Sequence, residues 1–369
     1  LQDIFVSYWR YFAERYKKVP PAELSFNLIN EPPWGLPEEI YANLMRRTIH
    51  AIREIDPKRQ IIVDGLESGR LPVMSLADEP NTLQSAHFYE PFELTHHKAD
   101  WLSDSAEFPP ATVWPLPMIP HHLFGVKQAG LSPLVIDGDF SAFSSMEIDL
   151  KEVLLSPETP MQLSLVGENG KPIFQNVGPL ASWKVIREKD GDRPTEYKAG
   201  STLSIKLPPH SQRISLAVEK GDRLTFSAIR LVSPDGRKSR DLTPTNRSWI
   251  KQPGPIKLTS SGEFQATVFY DGKWIRDHLQ ETWKPLMDLK VPIVVHEFGC
   301  NFLLPHQASV SYIADCRKAF EELGFGWCYF SNTGTLGIMD SKRTDVPVTR
   351  LPDGRPMDSQ MMDILSSPP

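Results

Sequence analysis

Leu24-Ser25-Phe26-Asn27-Leu28-Ile29-Asn30-Glu31-Pro32-Pro33 is the stretch whose reading decides the fold. Its apolar run is too short for a helix and suits a strand buried on both faces, while Asn30-Glu31-Pro32-Pro33 ends it in polar groups and a proline stop. The same unit recurs. Gln60-Ile61-Ile62-Val63-Asp64-Gly65 is a second such strand, Thr82 to Tyr89 a third running into Glu90-Pro91, and Pro292-Ile293-Val294-Val295-His296 a fourth running into Glu297-Phe298-Gly299. Gly326 to Phe330 reads as the last.

Helical periodicity fills the intervals. Ile40, Leu44, Ala51 and Ile55 form a stripe that starts near Pro37 and stops at Asp56-Pro57. A helix is expected over about 275–289, and another carries Val310, Ile313, Phe320 and Leu323 on one face. At the start, Phe5, Tyr8, Trp9, Phe12 and Tyr16 recur at steps of three and four, an aromatic stripe expected in the core. Strand and helix in alternation, with polar residues at the strand ends, is the pattern of a parallel α/β sheet. Five strands are counted where a closed (β/α)8 TIM barrel has eight. The expected fold class is therefore α/β, a TIM barrel without its first three strands, opening on the helix that follows strand three.

From about Ala106 to Tyr270 the helical pattern stops. A proline- and aromatic-rich connection through Trp114-Pro115-Leu116-Pro117 leads into short alternating runs at 146–150, 162–166, 203–207, 214–218 and 222–231. Turn signals such as Glu168-Asn169-Gly170 and Lys189-Asp190-Gly191-Asp192 separate them. Short strands at near-regular spacing read as an antiparallel β-sandwich. The expected organisation is a partial barrel over 1–105, an insert over 106–270 with its sandwich core at about 134–235, and the barrel continued over 271–369.

Composition bounds the function. The 369 residues carry 40 Lys+Arg against 46 Asp+Glu, a formal charge of −6, which argues against nucleic acid as a partner. No apolar run reaches the roughly 18–20 residues of a membrane helix. Three cysteines, Cys300, Cys316 and Cys328, do not build a disulfide framework. The 34 prolines, without a low-complexity repeat, mark ordered loops on a folded body.

Functional side chains of such barrels project from the C-terminal strand ends, so Glu31 and Glu297 can face each other across one mouth. A pair of carboxylates there suits glycoside hydrolysis with retention, one as nucleophile and one as acid/base. His87 and Tyr89, two apart on one strand, point to the same side and reach toward them. Asn30-Glu31-Pro32, His87-Phe88-Tyr89 and Val295-His296-Glu297-Phe298-Gly299, in this order, resemble glycoside hydrolase family 5, the cellulase-like retaining glycosidases of the TIM-barrel clan. The resemblance covers about 1–105 and 271–369. It implies Glu31 as general acid/base after strand four and Glu297 as nucleophile after strand seven. Asn30 would bond the sugar 2-hydroxyl, Tyr89 would donate to the nucleophile, and His87 would line the same subsite.

The chain departs from the family pattern on strand eight. The expected tryptophan platform is replaced at the aligned position by Phe330, with Trp327 three residues earlier, and both are carried as candidate substrate-binding residues. The family's arginine from strand two and histidine from strand three would lie upstream of Leu1. Trp34, Trp101, Trp114 and Trp249 are candidate stacking surfaces for sugar rings, and Trp34 lies nearest the Glu31 motif. His96-His97 and His121-His122 lack the spacing of a metal site, and neither metal nor cofactor is expected. The insert resembles the jelly-roll architecture of carbohydrate-binding modules, with Trp183 as its one tryptophan inside the strands, and a spacer is the alternative reading.

The resulting expectation is a monomeric, secreted or periplasmic retaining glycosidase. It would act on a β-linked polysaccharide, in the manner of an endo-β-1,4-glucanase. A retaining mannanase or exo-glucosidase of the same family, a degenerate glycosidase and a non-catalytic carbohydrate-binding protein are the alternatives.

Overall fold

A computed structural model describes the chain apart from residues 104, 126–130, 132, 156–160, 169, 192–193, 248–251 and 368–369. Trp249, Asn169 and Asp192, named above, lie outside the described residues. Two compact units are present, Leu1–His96 together with Asp271–Pro369, and His97–Tyr270. No helix among the described residues is long and apolar enough to cross a membrane.

In the first unit the main elements are α1 (Gln2–Tyr16), β1 (Phe26–Asn27), α2 (Glu38–Arg53), β2 (Ile61–Asp64), β3 (Thr82–Phe88), α3 (Gly272–Asp288), β4 (Ile293–Phe298), α4 (His306–Glu322) and β5 (Gly326–Trp327). The strands form one sheet in the order β1-β2-β3-β4-β5, every pair parallel. Sequence order equals spatial order, the outcome of repeated strand–helix–strand crossovers of one hand. All four residues of β2 are buried, as befits a strand covered on both faces.

Helix α2 presents Tyr41, Met45, Ile49 and Ile52, all at most 2% exposed, to a core shared with Ile61 and Val63 of β2. The Tyr41 hydroxyl donates to the backbone carbonyl of Asp64 at 2.9 Å, so this apolar face also carries one polar tie to the end of β2. Helix α3 starts at Asp271, whose carboxylate accepts from the Trp274 backbone N–H at 2.8 Å, an N-cap that satisfies one donor of the first turn.

The aromatic stripe of α1 needs correction. Trp9 packs on Phe26 with ring centroids 5.4 Å apart, and Phe5 and Tyr16 are partly buried beside it. Tyr8 and Phe12, by contrast, are 64% and 39% exposed. The physical reason is that α1 meets neighbours along a narrow band, so a stripe of this width extends past the contact. Beneath it lies Arg59, fully buried, with its guanidinium on the Asp56 carboxylate and on the carbonyls of Tyr16, Val19 and Leu24. One cation therefore holds the end of α1 and the approach to β1 together.

The second unit contains two larger sheets. One runs Lys184–Arg187, Thr195–Lys206, Ser145–Leu155, Arg223–Val232, His122–Phe124, all antiparallel. The other runs Phe264–Gln265, Ile256–Leu258, Leu134–Asp137, Arg213–Lys220, Met161–Gly167, Ile173–Val177, with only Ile256–Leu258 and Leu134–Asp137 parallel. Alternate residues of both, including Ile148 and Phe226 from one and Ile136 and Leu163 from the other, share one apolar core. Trp183 belongs to that core, 8% exposed with its indole N–H donating to Ser201 Oγ at 2.9 Å. The suggestion that it serves as a sugar platform is withdrawn, because its ring face is occupied by protein.

Candidate active site

The site begins with an irregularity in the β3–β4 ladder. Val295 pairs with Ala86, but Glu297 pairs with His87 and Phe298 with Phe88, so His296 is an extra residue on β4. In an unbroken strand Val295 and Glu297 would share one face. The bulge moves Glu297 to the opposite face, beside His87, and leaves Phe298 with Phe88 against Phe320 of α4. A shift of one residue thus decides that the carboxylate joins the polar side of the sheet.

On that side four acidic or basic groups converge, one from the C-terminal side of each of β1, β2, β3 and β4. His87 Nδ1 lies 3.1 Å from Glu31 Oε1 and 3.6 Å from Glu297 Oε2. The Tyr89 hydroxyl donates to Glu297 Oε2 at 3.0 Å. Behind them, Asp64 Oδ2 accepts from the Glu31 backbone N–H at 3.0 Å and sits 3.2 Å from His87 Nε2, a charge contact without the alignment of a hydrogen bond. Asp64 Oδ1 accepts from the Asn27 side-chain amide at 2.8 Å. One oxygen each of Glu31 and Glu297 and the ring nitrogen of His87 all lie within 4.8 Å of one another.

Glu31 itself is held in the left-handed region, φ 50°, where a side chain other than glycine is disfavoured. The next loop braces this turn. Ser68 donates its backbone N–H to the Pro32 carbonyl at 3.0 Å, and the Gly35 N–H reaches the Glu67 carboxylate at 2.9 Å. Gly69, at φ 80°, is required here, since a Cβ would lie 2.8 Å from that of His87.

The electrostatics follow from burial and proximity. Burial alone pulls the His87 imidazole down, but the carboxylates of Asp64, Glu31 and Glu297 outweigh it and raise the pKa to about 9. Burial pushes the Glu297 carboxyl above its usual range, while His87 and the Tyr89 hydroxyl pull it back toward ionisation. For Asp64, the cost of burial is overcome by His87, the Glu31 N–H and Asn27, and its carboxyl is held below the usual range. Glu31, His87 and Glu297 form the group among the described residues whose spacing suits a cation.

The remaining candidates divide. Asn30 is exposed beside Glu31, and Trp34 is 63% exposed with the Arg70 guanidinium 4.8 Å from its ring centroid. Arg70 also reaches Glu90 at 3.2 Å, so the Trp34 ring is propped from beneath. Phe330, 43% exposed, follows β5. Trp327 does not join them: it meets Phe298 edge-on at 5.9 Å and lies under Arg317 of α4, in the layer of the helices. Strand alternation sends it there, so its assignment to substrate is corrected.

His96 stacks on Phe92 at 3.9 Å and is pushed down to about 4 by burial and Arg70. Trp101, 48% exposed, and the partly buried Trp114 belong to the second unit. There His121 and His122 stack at 5.1 Å instead of pointing apart, because His121 precedes the strand and alternation does not bind it.

Sequence reading missed Asp64 and Arg70. An Asp before a Gly at a strand end reads as a turn, and only the fold shows that Asn27, Glu31 and His87 meet its carboxylate.

Residues 1–112 match the family model Cellulase (glycosyl hydrolase family 5). Endoglucanase C of Acetivibrio thermocellus is 36% identical over 109 residues, 28% of this chain and 31% of that protein. Endoglucanase H of the same organism is 30% identical over 95 residues, 25% of this chain and 10% of that protein. Endoglucanase 3 of Fibrobacter succinogenes is 26% identical over 99 residues, 25% of this chain and 15% of that protein. The chain thus spans less than a third of the length of these relatives. A solved structure described as a glycoside hydrolase superposes with a TM-score of 0.53 at 20% identity, covering 99% of this chain and 66% of that one, a likeness of fold.

Proposed function

We propose, from the premise that residues 1–112 carry a glycosyl hydrolase family 5 segment, that the first unit is the catalytic part of a retaining β-glucan hydrolase. In this reading it holds the last five strands of a (β/α)8 barrel, and the His97–Tyr270 unit is a β-sandwich inserted after the third of them. An endo-acting β-1,4-glucanase is the finer assignment, and an extracellular location accords with it.

The observation that carries the reading is the approach of Glu31 and Glu297 to within 4.8 Å around one buried histidine. A retaining pair needs carboxyl groups roughly 5–5.5 Å apart, whereas an inverting pair leaves roughly 6.5–9.5 Å for a water. Glu297 attacks the anomeric carbon as the glycosidic C–O bond breaks, and the leaving oxygen takes the proton of Glu31. Water then attacks the glycosyl ester, gives its proton to Glu31 and frees Glu297. Burial favours this division, because a desolvated carboxylate is a stronger nucleophile once ionised. His87 and Tyr89 offset the charge that moves between the two carboxylates.

The test is stereochemical. Proton NMR of a β-glucan oligosaccharide digest shows the β-anomer of the new reducing end first; first-formed α-anomer means a single displacement and removes the assignment.

Tyr89→Phe offers a second check. The hydroxyl favours ionised Glu297, so its loss raises the carboxyl pKa further. The acid limb of the kcat/KM profile then moves to higher pH, a loss of activity confined to the acid side. An unmoved acid limb in Tyr89→Phe would show that Glu297 does not set it.

A further inference from the structure

We propose that Asp64 is a positioning residue for the proton-transferring glutamate, fixing both ends of Glu31 from beneath the site; this rests on the reading of Glu31 as acid/base. Asp64 has no exposed surface, and its Oδ2 faces two groups at once. It accepts from the backbone N–H of Glu31 at 3.0 Å and lies 3.2 Å from His87 Nε2, while His87 Nδ1 reaches the Glu31 carboxylate at 3.1 Å. The three residues close a ring: Asp64 to the main chain of Glu31, Glu31 through its side chain to His87, and His87 back to Asp64.

That geometry answers a problem in the site. Glu31 occupies a left-handed backbone conformation four residues beyond a two-residue strand, and its side chain is 39% exposed. Such a residue has little packing to hold its carboxyl in place, yet proton transfer demands a fixed direction toward the leaving oxygen. Asp64 supplies the fixture. Its second oxygen is pinned by Asn27, and the Tyr41 hydroxyl bonds its main-chain carbonyl, so the anchor is rigid before substrate arrives. Partners that orient metal-ligating side chains alter function by about ten- to a hundredfold when removed, and a loss on that scale is expected for Asp64.

The experiment separates positioning from general damage. Asp64→Asn keeps the shape and removes the charge. It is compared with the full 369-residue chain on phenyl and 2,4-dinitrophenyl β-cellobiosides, with melting temperature recorded alongside. Phenolate leaves with help from a proton, whereas dinitrophenolate leaves without it. The expected result is a loss of kcat/KM, which reads the bond-breaking step alone, at least about tenfold larger on the phenyl substrate than on the dinitrophenyl substrate. Equal losses on both substrates overturn the inference.

Asn27→Ala frees one oxygen of Asp64 without touching Glu31 or His87. It shows the same bias more weakly and decides the matter if Asp64→Asn does not fold; no bias in it then overturns the proposal. Glu31→Ala distinguishes the two levels. Leaving-group bias in Glu31→Ala but none in Asp64→Asn removes only the role of Asp64. Absence of the bias in Glu31→Ala, or a parent chain inert on both substrates, removes the hydrolase reading and this inference together.

Discussion

Glu297→Gln lowers kcat on β-glucan by about ten-thousandfold or more, equivalent to about 5 kcal/mol of barrier, while the chain remains folded. Glutamine matches glutamate in size, and its amide oxygen still accepts from Tyr89. What it lacks is the negative oxygen that forms the ester to the anomeric carbon, and no neighbour replaces it. Glu31 shares His87 Nδ1 with Glu297, and on the proposed reading it gives a proton instead of attacking. Folding should be spared for a specific reason. Burial already disfavours the Glu297 charge, and the nearby Glu31 disfavours it further, so a neutral amide relieves repulsion. An unchanged or slightly higher melting temperature with activity lost is the expected pair of readings. Hydrolysis remaining within about tenfold of the parent would sink the nucleophile assignment.

Arg59→Ala destabilises the first unit by about 3–5 kcal/mol without reference to any chemistry at the mouth. The guanidinium has no exposed surface and bonds the 8%-exposed Asp56 as well as three backbone carbonyls. Removing it leaves a buried carboxylate without its partner and takes the guanidinium donors away from the carbonyls of Tyr16, Val19 and Leu24. The Phe26 ring also loses the cation 5.2 Å from its centroid. Arg59→Met, which restores most of the volume, should recover little, because the missing quantity is hydrogen bonding and charge. The urea midpoint followed by the helical circular-dichroism signal reads this directly, since α1 to α4 all belong to the unit that contains Arg59. A shift worth less than about 1 kcal/mol would show that water replaces the guanidinium at no great cost.

Much of this unit is legible in the chain because its signals are local. Apolar runs ending in Asn30-Glu31-Pro32 and in Glu297-Phe298-Gly299 announce strand ends with polar side chains, and the spacing of His87 and Tyr89 puts them on one face. Other features depend on contacts that no window of sequence contains. The bulge at His296 carries no glycine to mark it, so the pairing of Glu297 with His87 emerges only once β3 and β4 are side by side. Asp64 finds its partners 37, 33 and 23 positions away. Trp183 and Tyr8 mislead for a shared reason: aromatic side chains are read by type, but burial is decided by which neighbour arrives. Trp327 misleads through direction, because a shift of one position on a strand exchanges the mouth for the helical layer.

The left-handed backbone at Glu31 bears on how such a protein can change over time. Glycine adopts φ 50° without strain, so folding by itself has no reason to retain a glutamate there. A lineage that lost the need for the reaction could exchange this residue and keep, or even raise, its stability. Its descendants would express well, resist proteases and melt normally while doing nothing to a glycan. On the proposed reading, selection for a folded chain guards Arg59, and selection for turnover guards Glu31.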